Sequence, residues 1–189
     1  MTDFHRFPHT PHLAWLALHG DAVAEALLEH ADDGLMLFGE WCAARHSLAY
    51  TRLPDWFLLF DAFDSGTCRF WSSTRRDSLA RRQGLATTPQ LARGRFSLAP
   101  LKTLLATQGS RFRDGPLEGI VIRHESADWC EQRAKLLRSN FTQTITDPWR
   151  SRRIEWKRLD AGASAGAVRR QHSPRCATAV RMLPTVSQP

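Results

Sequence analysis

The stretch LMLFGEWCAARHSLAY, residues 35–50, begins with the alternation that is typical of a β-strand. Met36, Phe38 and Cys42 fall on one side of that strand, and the carboxylate of Glu40 falls on the same side. A carboxylate buried alone among such groups costs several kcal/mol unless a partner or a metal neutralises it. The stretch therefore predicts a strand of the main sheet that carries a paired or functional carboxylate.

Two further runs have the composition of strands. DWFLLFDAFD, residues 55–64, is apolar on both faces, which indicates a strand covered on both sides and brings in Asp61. LEGIVIRH, residues 117–124, places Glu118 on an apolar face. Residues 129–138 fit a helix or a strand equally well by period. Each carboxylate could form a structural ion pair instead of a site, because the chain is rich in arginine.

Helices are predicted between these strands from capping residues and from the turns that end them. They run from Asp21 to about His30, from Ser73 or Thr74 to about Gln83, and from near Ser97 to Gly109. The opening FHRFPHTPHLAWL has neither the helical nor the strand period, so we expect an irregular entry segment there.

The positive charge is unevenly distributed along the chain. The net charge is +7, but residues 1–160 hold 22 Lys and Arg against all 19 Asp and Glu. Residues 161–189 add basic residues without acids and are small and polar, so we predict a disordered basic tail after a domain at 1–160. Within the domain, a basic run beside Trp149 and Trp156 suits nucleic-acid binding, with a solvated charged face as the alternative. Its members are Arg150, Arg152, Arg153, Lys157 and Arg158.

Several classes of protein are disfavoured by composition. The apolar runs are far shorter than the roughly 20 residues that span a bilayer, and the amino terminus lacks the apolar block of a signal peptide, so we expect a cytoplasmic protein. The four cysteines are scattered without a CxxC pair, which favours neither a zinc site nor a disulfide framework.

The order of the segments FGEW, FLLFDAFD, LEGIVIR and RAKLLR resembles motifs III, IIIa, IV and V of the RNA ligase family. This family belongs to the covalent nucleotidyltransferases, with the ATP-dependent ligases and capping enzymes. The opening FPHTPHLAWL is similar to the leader of bacterial members, and the resemblance covers about residues 4–158. It implies an α+β fold of the adenylylation-domain (ATP-grasp-like ligase) type, a mixed, largely antiparallel sheet with flanking helices.

The resemblance also implies a role for each matched residue. Glu40 would hydrogen-bond the ribose of ATP, and Phe60 would stack on the adenine ring. Glu118 would help to hold Mg²⁺, which prefers oxygen ligands. Lys135, with Arg133 in place of a more usual lysine, would contact the α-phosphate. The implied cofactors are ATP and Mg²⁺, and the implied partner is RNA or nicked nucleic acid.

One motif of the family is missing. Its ligases first attack ATP with the lysine of a KxDG motif, and none of Lys102, Lys135 and Lys157 has Asp-Gly at that offset. Only about twenty residues, between about 14 and 34, stand where the family carries that motif, so we expect part of one sheet to be missing. Lys102 and Lys157 are expected to be solvated surface lysines.

Three hypotheses about function follow. The first is an ATP-dependent RNA ligase family protein, joining RNA ends through an adenylylated intermediate by descent but defective in self-adenylylation. The second is a non-catalytic remnant that binds nucleotide or nucleic acid. The third is a truncated product without activity. A test for a covalent AMP adduct on the protein discriminates best, because an adduct would show that ligase chemistry is retained.

Overall fold

A computed structural model describes residues 10–45, 48–138, 155, 157–160 and 177–182 of the 189-residue chain. Within these residues the chain forms three helices, α1 (Thr10–Glu29), α2 (Ser73–Arg82) and α3 (Leu98–Thr107). The strands of the same described part are β1 (Leu35–Trp41), β2 (Phe57–Asp64), β3 (Arg69–Trp71), β4 (Gln90–Gly94), β5 (Gly119–Glu125), β6 (Trp129–Leu137) and β7 (Ala177–Met182). The predicted α+β class is confirmed.

The strands form one sheet in the order β1-β2-β3-β6-β5-β7-β4, and all its neighbouring strands pair antiparallel in the described residues. This agrees with the predicted, largely antiparallel sheet. Strands β1 and β4 are its edges. None of the helices in the described part of the chain is long and apolar enough to cross a membrane.

The pairing register of β1 with β2 shifts by one residue in the middle of β1. Phe38 pairs with Asp61 and Gly39 pairs with Leu59, so Phe60 is an extra residue that bulges out of β2. A side chain at position 39 would put its Cβ 2.0 Å from the ring of Phe57, so only glycine fits there.

Side chains cover both faces of β2, as its composition predicts. Leu58 and Leu59 are both fully buried but belong to different clusters. The cluster of Leu58 includes Leu101 and Leu105 of α3, whereas Leu59 packs with α2 and, through Trp15, with α1. The helices therefore hold the sheet from both sides.

Two predicted helices are confirmed with small shifts. The N-cap of α2 is Ser72, one residue before the expected Ser73, because the Oγ atom of Ser72 accepts a hydrogen bond from the Arg75 amide at 3.2 Å. Gly84, at a φ of +64°, follows its end. Helix α3 buries Leu101 and Leu105, but Leu98 stays exposed.

Other predictions of local structure are wrong. Helix α1 begins at Thr10, so most of the supposed entry segment is helical and Asp21 lies inside the helix. Proline at position 11 is tolerated there, because the first helical turn needs no amide donor. Residues 129–138, which fitted a helix or a strand, form β6. Strand β4 was not predicted.

The prediction of a disordered tail is wrong for residues 177–182. These residues form β7, which pairs with β5 on one side and with β4 on the other. Without them, the backbone groups of β5 on that side would lack partners. The rest of the predicted tail lies outside the described residues.

A buried ionic network joins three strands and the start of α2. The guanidinium group of Arg123 donates to Asp61, to Oε1 of Glu125 at 2.7 Å and to the Trp71 carbonyl at 2.8 Å. Glu125 in turn accepts from the amide and hydroxyl of Ser73. Burial acts to lower the pKa of Arg123, but Asp61 and Glu125 outweigh it and raise that pKa. Arg123 is therefore a permanent cation that neutralises two buried carboxylates.

Replacing Arg123 with methionine should lower the free energy of unfolding by about 3–5 kcal/mol, because it leaves the buried Glu125 without a cation and Asp61 with Arg133 alone. Urea unfolding followed by circular dichroism measures this loss. The control is Arg52→Met, which removes an ion pair with the exposed Asp114 and should cost about 0–1 kcal/mol. Equal losses in the two variants would contradict a structural role for the network.

Candidate functional site

Glu40 lies near the carboxyl end of β1, at the border between solvent and core. On its side of the strand, Met36 and Phe38 are 49% and 40% exposed, whereas Cys42 is buried. Burial raises the pKa of Glu40, and the nearby charge of Lys157 opposes that rise. The carboxylate on this apolar strand face therefore has a charged neighbour rather than a dry core.

Glu118 lies directly before β5 and is buried. The phenol of Tyr50 donates a hydrogen bond to its Oε1 atom at 2.8 Å. Tyr50 is itself buried and packs edge-on against Phe112. The far end of the 35–50 stretch thus reaches the carboxylate of the LEGIVIR motif.

Lys157 joins these two carboxylates, which corrects its predicted place in the solvated basic run. Its side chain is only 5% exposed, and its Nζ lies 4.5 Å from the centroid of the Tyr50 ring. Burial lowers the pKa of Lys157, and the negative charges of Glu40 and Glu118 oppose this. Both carboxylates therefore lie within electrostatic reach of the buried ammonium group of Lys157.

Backbone hydrogen bonds hold Lys157 in this position. Its amide donates to the Ala43 carbonyl at 2.9 Å, and the next amide, of Arg158, donates to the Tyr50 carbonyl at 3.0 Å. The Asp160 amide donates to the Leu53 carbonyl at 2.8 Å. Residues 157–160 thus run along the segment that follows β1, and Lys157 enters the pocket from there.

The other residues matched to the family motifs lie on β2 and β6. Phe60 is half-buried at the bulge, and its carbonyl accepts from Arg76. Arg133 donates to Asp61 and stacks 3.7 Å from the Phe70 ring centroid, so it belongs to the ionic network. Lys135 is exposed on β6, opposite Val121.

The predicted basic run is described only in part. Arg150, Arg152 and Arg153 lie outside the described residues, as do Trp149 and Trp156. Arg158 is exposed, in agreement with a surface cation. Lys157 faces away from any such surface, because it is buried among the carboxylates described above.

The residues around Glu118 do not fit the Mg²⁺ ion that the resemblance implies. In the part of the chain that the structure describes, no group of three or more His, Cys, Asp or Glu side chains could hold a metal. An ammonium group, that of Lys157, lies within electrostatic reach of both Glu40 and Glu118. A divalent cation beside it would meet like charge in a buried setting, where repulsion is strong.

Cys42 shares this pocket, and its thiol stays protonated. Burial raises the pKa of Cys42 to about 12, with Lys157 opposing and Glu40 and Asp55 adding to the rise. Cys68, in contrast, is exposed in the turn before β3. Because thiolates are the reactive form, the two cysteines should differ widely in reactivity.

Iodoacetamide at about pH 8 should alkylate Cys68 and leave Cys42 unmodified in the folded protein, because the thiolate of Cys42 forms only near its pKa of about 12. Peptide mass spectrometry measures both sites. Denaturant is the control, since unfolding should make both cysteines react alike. Rapid native alkylation of Cys42 would show that this pocket is open to solvent.

These features define an α+β protein whose antiparallel sheet carries, near the end of β1, the half-buried Glu40 together with the buried Glu118 and Lys157. The chain belongs to the RNA ligase family, whose sequence model matches residues 3–137. No curated protein and no solved structure matches the chain. The matched range includes Glu40, Phe60 and Glu118 but ends before Lys157. That lysine and its partner Tyr50 are the pocket residues that sequence reasoning missed.

Proposed function

We propose that this RNA ligase family chain binds the adenosine part of ATP between Glu40 and Phe60 and is defective in self-adenylylation. The observation that carries the proposal is the placement of Glu40 and Phe60 on the paired strands β1 and β2, within the range that the family model matches. Glu40 is half-buried, so a ribose hydroxyl can reach its carboxylate from solvent. Phe60 is held at a bulge of β2, a rigid mount for a stacking ring.

Phosphate contacts are proposed for Lys135 and Arg133. Lys135 is exposed, and its compact ammonium group on a flexible stem suits an anionic ligand at the surface of β6. Arg133 is bound to Asp61, but its side chain is still 39% exposed. One face of its guanidinium group lies on Phe70, so the group has a fixed position. These two cations would orient the α-phosphate.

The defect in self-adenylylation follows from the positions of the three lysines. Lys102 is exposed on α3 and Lys135 is exposed on β6, so water solvates both as cations. Burial lowers the pKa of Lys157 although Glu40 and Glu118 oppose this, so for this lysine the defect rests on the missing KxDG context. A solvated ammonium has no lone pair with which to attack phosphorus, which disfavours Lys102 and Lys135. No KxDG lysine is present in the sequence.

The second candidate is a non-catalytic protein that binds RNA or nicked nucleic acid. The observation in its favour is the exposure of Arg158 at the carboxyl end of the basic run. Sequence-independent binding needs only cations along a backbone and flat rings for the bases. A cytoplasmic location, where RNA ends are available, suits both candidates.

ATP should bind with a Kd of roughly 1 mM, about −4 kcal/mol, because the strands that carry the KxDG motif in the family are missing from the pocket. Phe60→Ala should weaken binding by about 1–3 kcal/mol through loss of stacking. Titration followed by NMR measures both affinities, and Lys102→Ala on α3 is the control. Intact-mass spectrometry of the same samples should show no added AMP. An AMP adduct on any lysine would refute the defect, and unchanged binding by Phe60→Ala would refute the stacking.

Nucleic-acid binding should weaken with salt, with a slope of about −0.7 in log affinity against log salt for each single-strand phosphate contacted. The double variant Arg152→Ala, Arg153→Ala should flatten this slope by about 1.4. Fluorescence anisotropy with labelled single-stranded RNA measures the slope. The full chain must be used, because truncation at Asp160 would remove β7 from the sheet.

The matched control replaces Arg81 and Arg82, two exposed arginines at the end of α2, with alanine. This change removes the same charge from a different surface. An equal flattening in both double variants would mean that net charge alone drives binding. The basic run would then be a solvated face.

A further inference from the structure

The pocket around Lys157 contains more fixed charge than nucleotide binding requires. Glu118 is buried, Glu40 is half-buried, and the 5% exposed Lys157 is the cation whose charge acts on Glu40. A buried carboxylate requires a cation, because its charge is otherwise poorly solvated. In the family that the chain belongs to, the resemblance gives this place to Mg²⁺.

We propose that Lys157 is the resident cation of the Glu40 and Glu118 pocket and that no divalent metal binds there. The inference deepens the proposed function, since it concerns the same pocket, and it makes nucleotide binding at this site independent of metal. It assigns Lys157 as a positioning residue that holds the two carboxylates.

The position of the ammonium group supports this assignment. Nζ of Lys157 lies over the ring of Tyr50, and the hydroxyl of the same ring donates to Glu118. A cation over an aromatic face is stabilised by the electrons of the ring, more so when water is excluded. Tyr50 therefore organises both the cation and the carboxylate in one unit.

The backbone around Lys157 shows that the residue is built into the fold. The segment 157–160 is bonded to Ala43, Tyr50 and Leu53 by main-chain hydrogen bonds. Those partners follow β1 directly and connect it to β2. These bonds fix the backbone of Lys157 beside Tyr50, so the base of its side chain has a set position next to Glu118 and its hydrogen-bond partner.

The donor chemistry disfavours a metal for an independent reason. Mg²⁺ binds through several oxygen ligands in a near-octahedral shell. The described residues offer no group of three or more acidic or metal-binding side chains, and the two carboxylates nearest to Lys157 already share its charge. Exchanging one ammonium for one divalent ion is possible only if Lys157 is removed.

Mn²⁺ serves as the probe, because its free form gives an electron paramagnetic resonance signal that is lost on binding. Wild-type protein is compared with Glu118→Gln and with Lys157→Met, which keeps the side-chain length without the charge. Lys102→Met on α3 is the control, since it removes a lysine from the exposed surface. Circular dichroism checks that each variant is folded.

The wild type and Glu118→Gln should bind Mn²⁺ equally weakly, because the wild type has no metal site at Glu118. Lys157→Met should gain such binding, at least about tenfold tighter than Lys102→Met, a difference of ~1.4 kcal/mol. Binding by the wild type that Glu118→Gln abolishes would overturn the proposal. A folded Lys157→Met protein that gains no binding would do the same. If Lys157→Met does not fold, the comparison of wild type with Glu118→Gln decides.

Adenosine binding in the presence of EDTA separates this inference from the proposed function. Adenosine has no phosphate that needs a metal, so it tests the Glu40 and Phe60 part of the pocket alone. Loss of adenosine binding would contradict the proposed function and leave the assignment of Lys157 standing. Adenosine binding together with Glu118-dependent Mn²⁺ binding would contradict the assignment of Lys157 and leave the proposed function standing.

Discussion

The buried guanidinium group of Arg123 is the interaction on which the rest of the sheet depends. It lies on β5 and donates to Asp61 of β2, to Glu125 on its own strand and to the backbone of β3. Through Glu125 it also fixes the start of α2, because that carboxylate accepts from Ser73. Strands that are far apart in sequence are thus tied together by one cation.

The candidate site follows from this arrangement. Asp61 is anchored by arginines from β5 and β6, and the residue just before it, Phe60, bulges from β2. Leu58 and Leu59 point to opposite faces of β2, as successive strand residues do, so Leu58 packs with the cluster that holds Tyr50 while Leu59 packs with α2. Glu40 pairs with Leu58 and so faces the same region as Tyr50. The fold, rather than any single motif, brings Glu40 towards Glu118.

Alternation and motif order predicted much of this from the sequence. Glu40 lies in β1, Asp61 lies in β2, and Glu118 directly precedes β5. Strands β1, β2 and β5 could be placed because a carboxylate interrupts an apolar run in or beside each of them. Strand β7 could not, because its small residues have no periodicity and depend on the open side of β5 for pairing. The first half of α1 was missed, although its second half was predicted, because a proline-rich opening hides a helical first turn. Elements that a local sequence pattern marks could be predicted, whereas strand pairing between distant segments could not.

Lys157 shows why a charge run is a poor guide to exposure. In sequence it stands among arginines, so a solvated face was the natural expectation. Yet two carboxylates on apolar strands need a counter-charge, and lysine can bury its long apolar stem while keeping one compact ammonium group near them. The requirement was visible in the sequence, although the identity of the cation was not. Lys157 supplies that charge from a segment far along the chain from Glu40, which no local pattern could reveal.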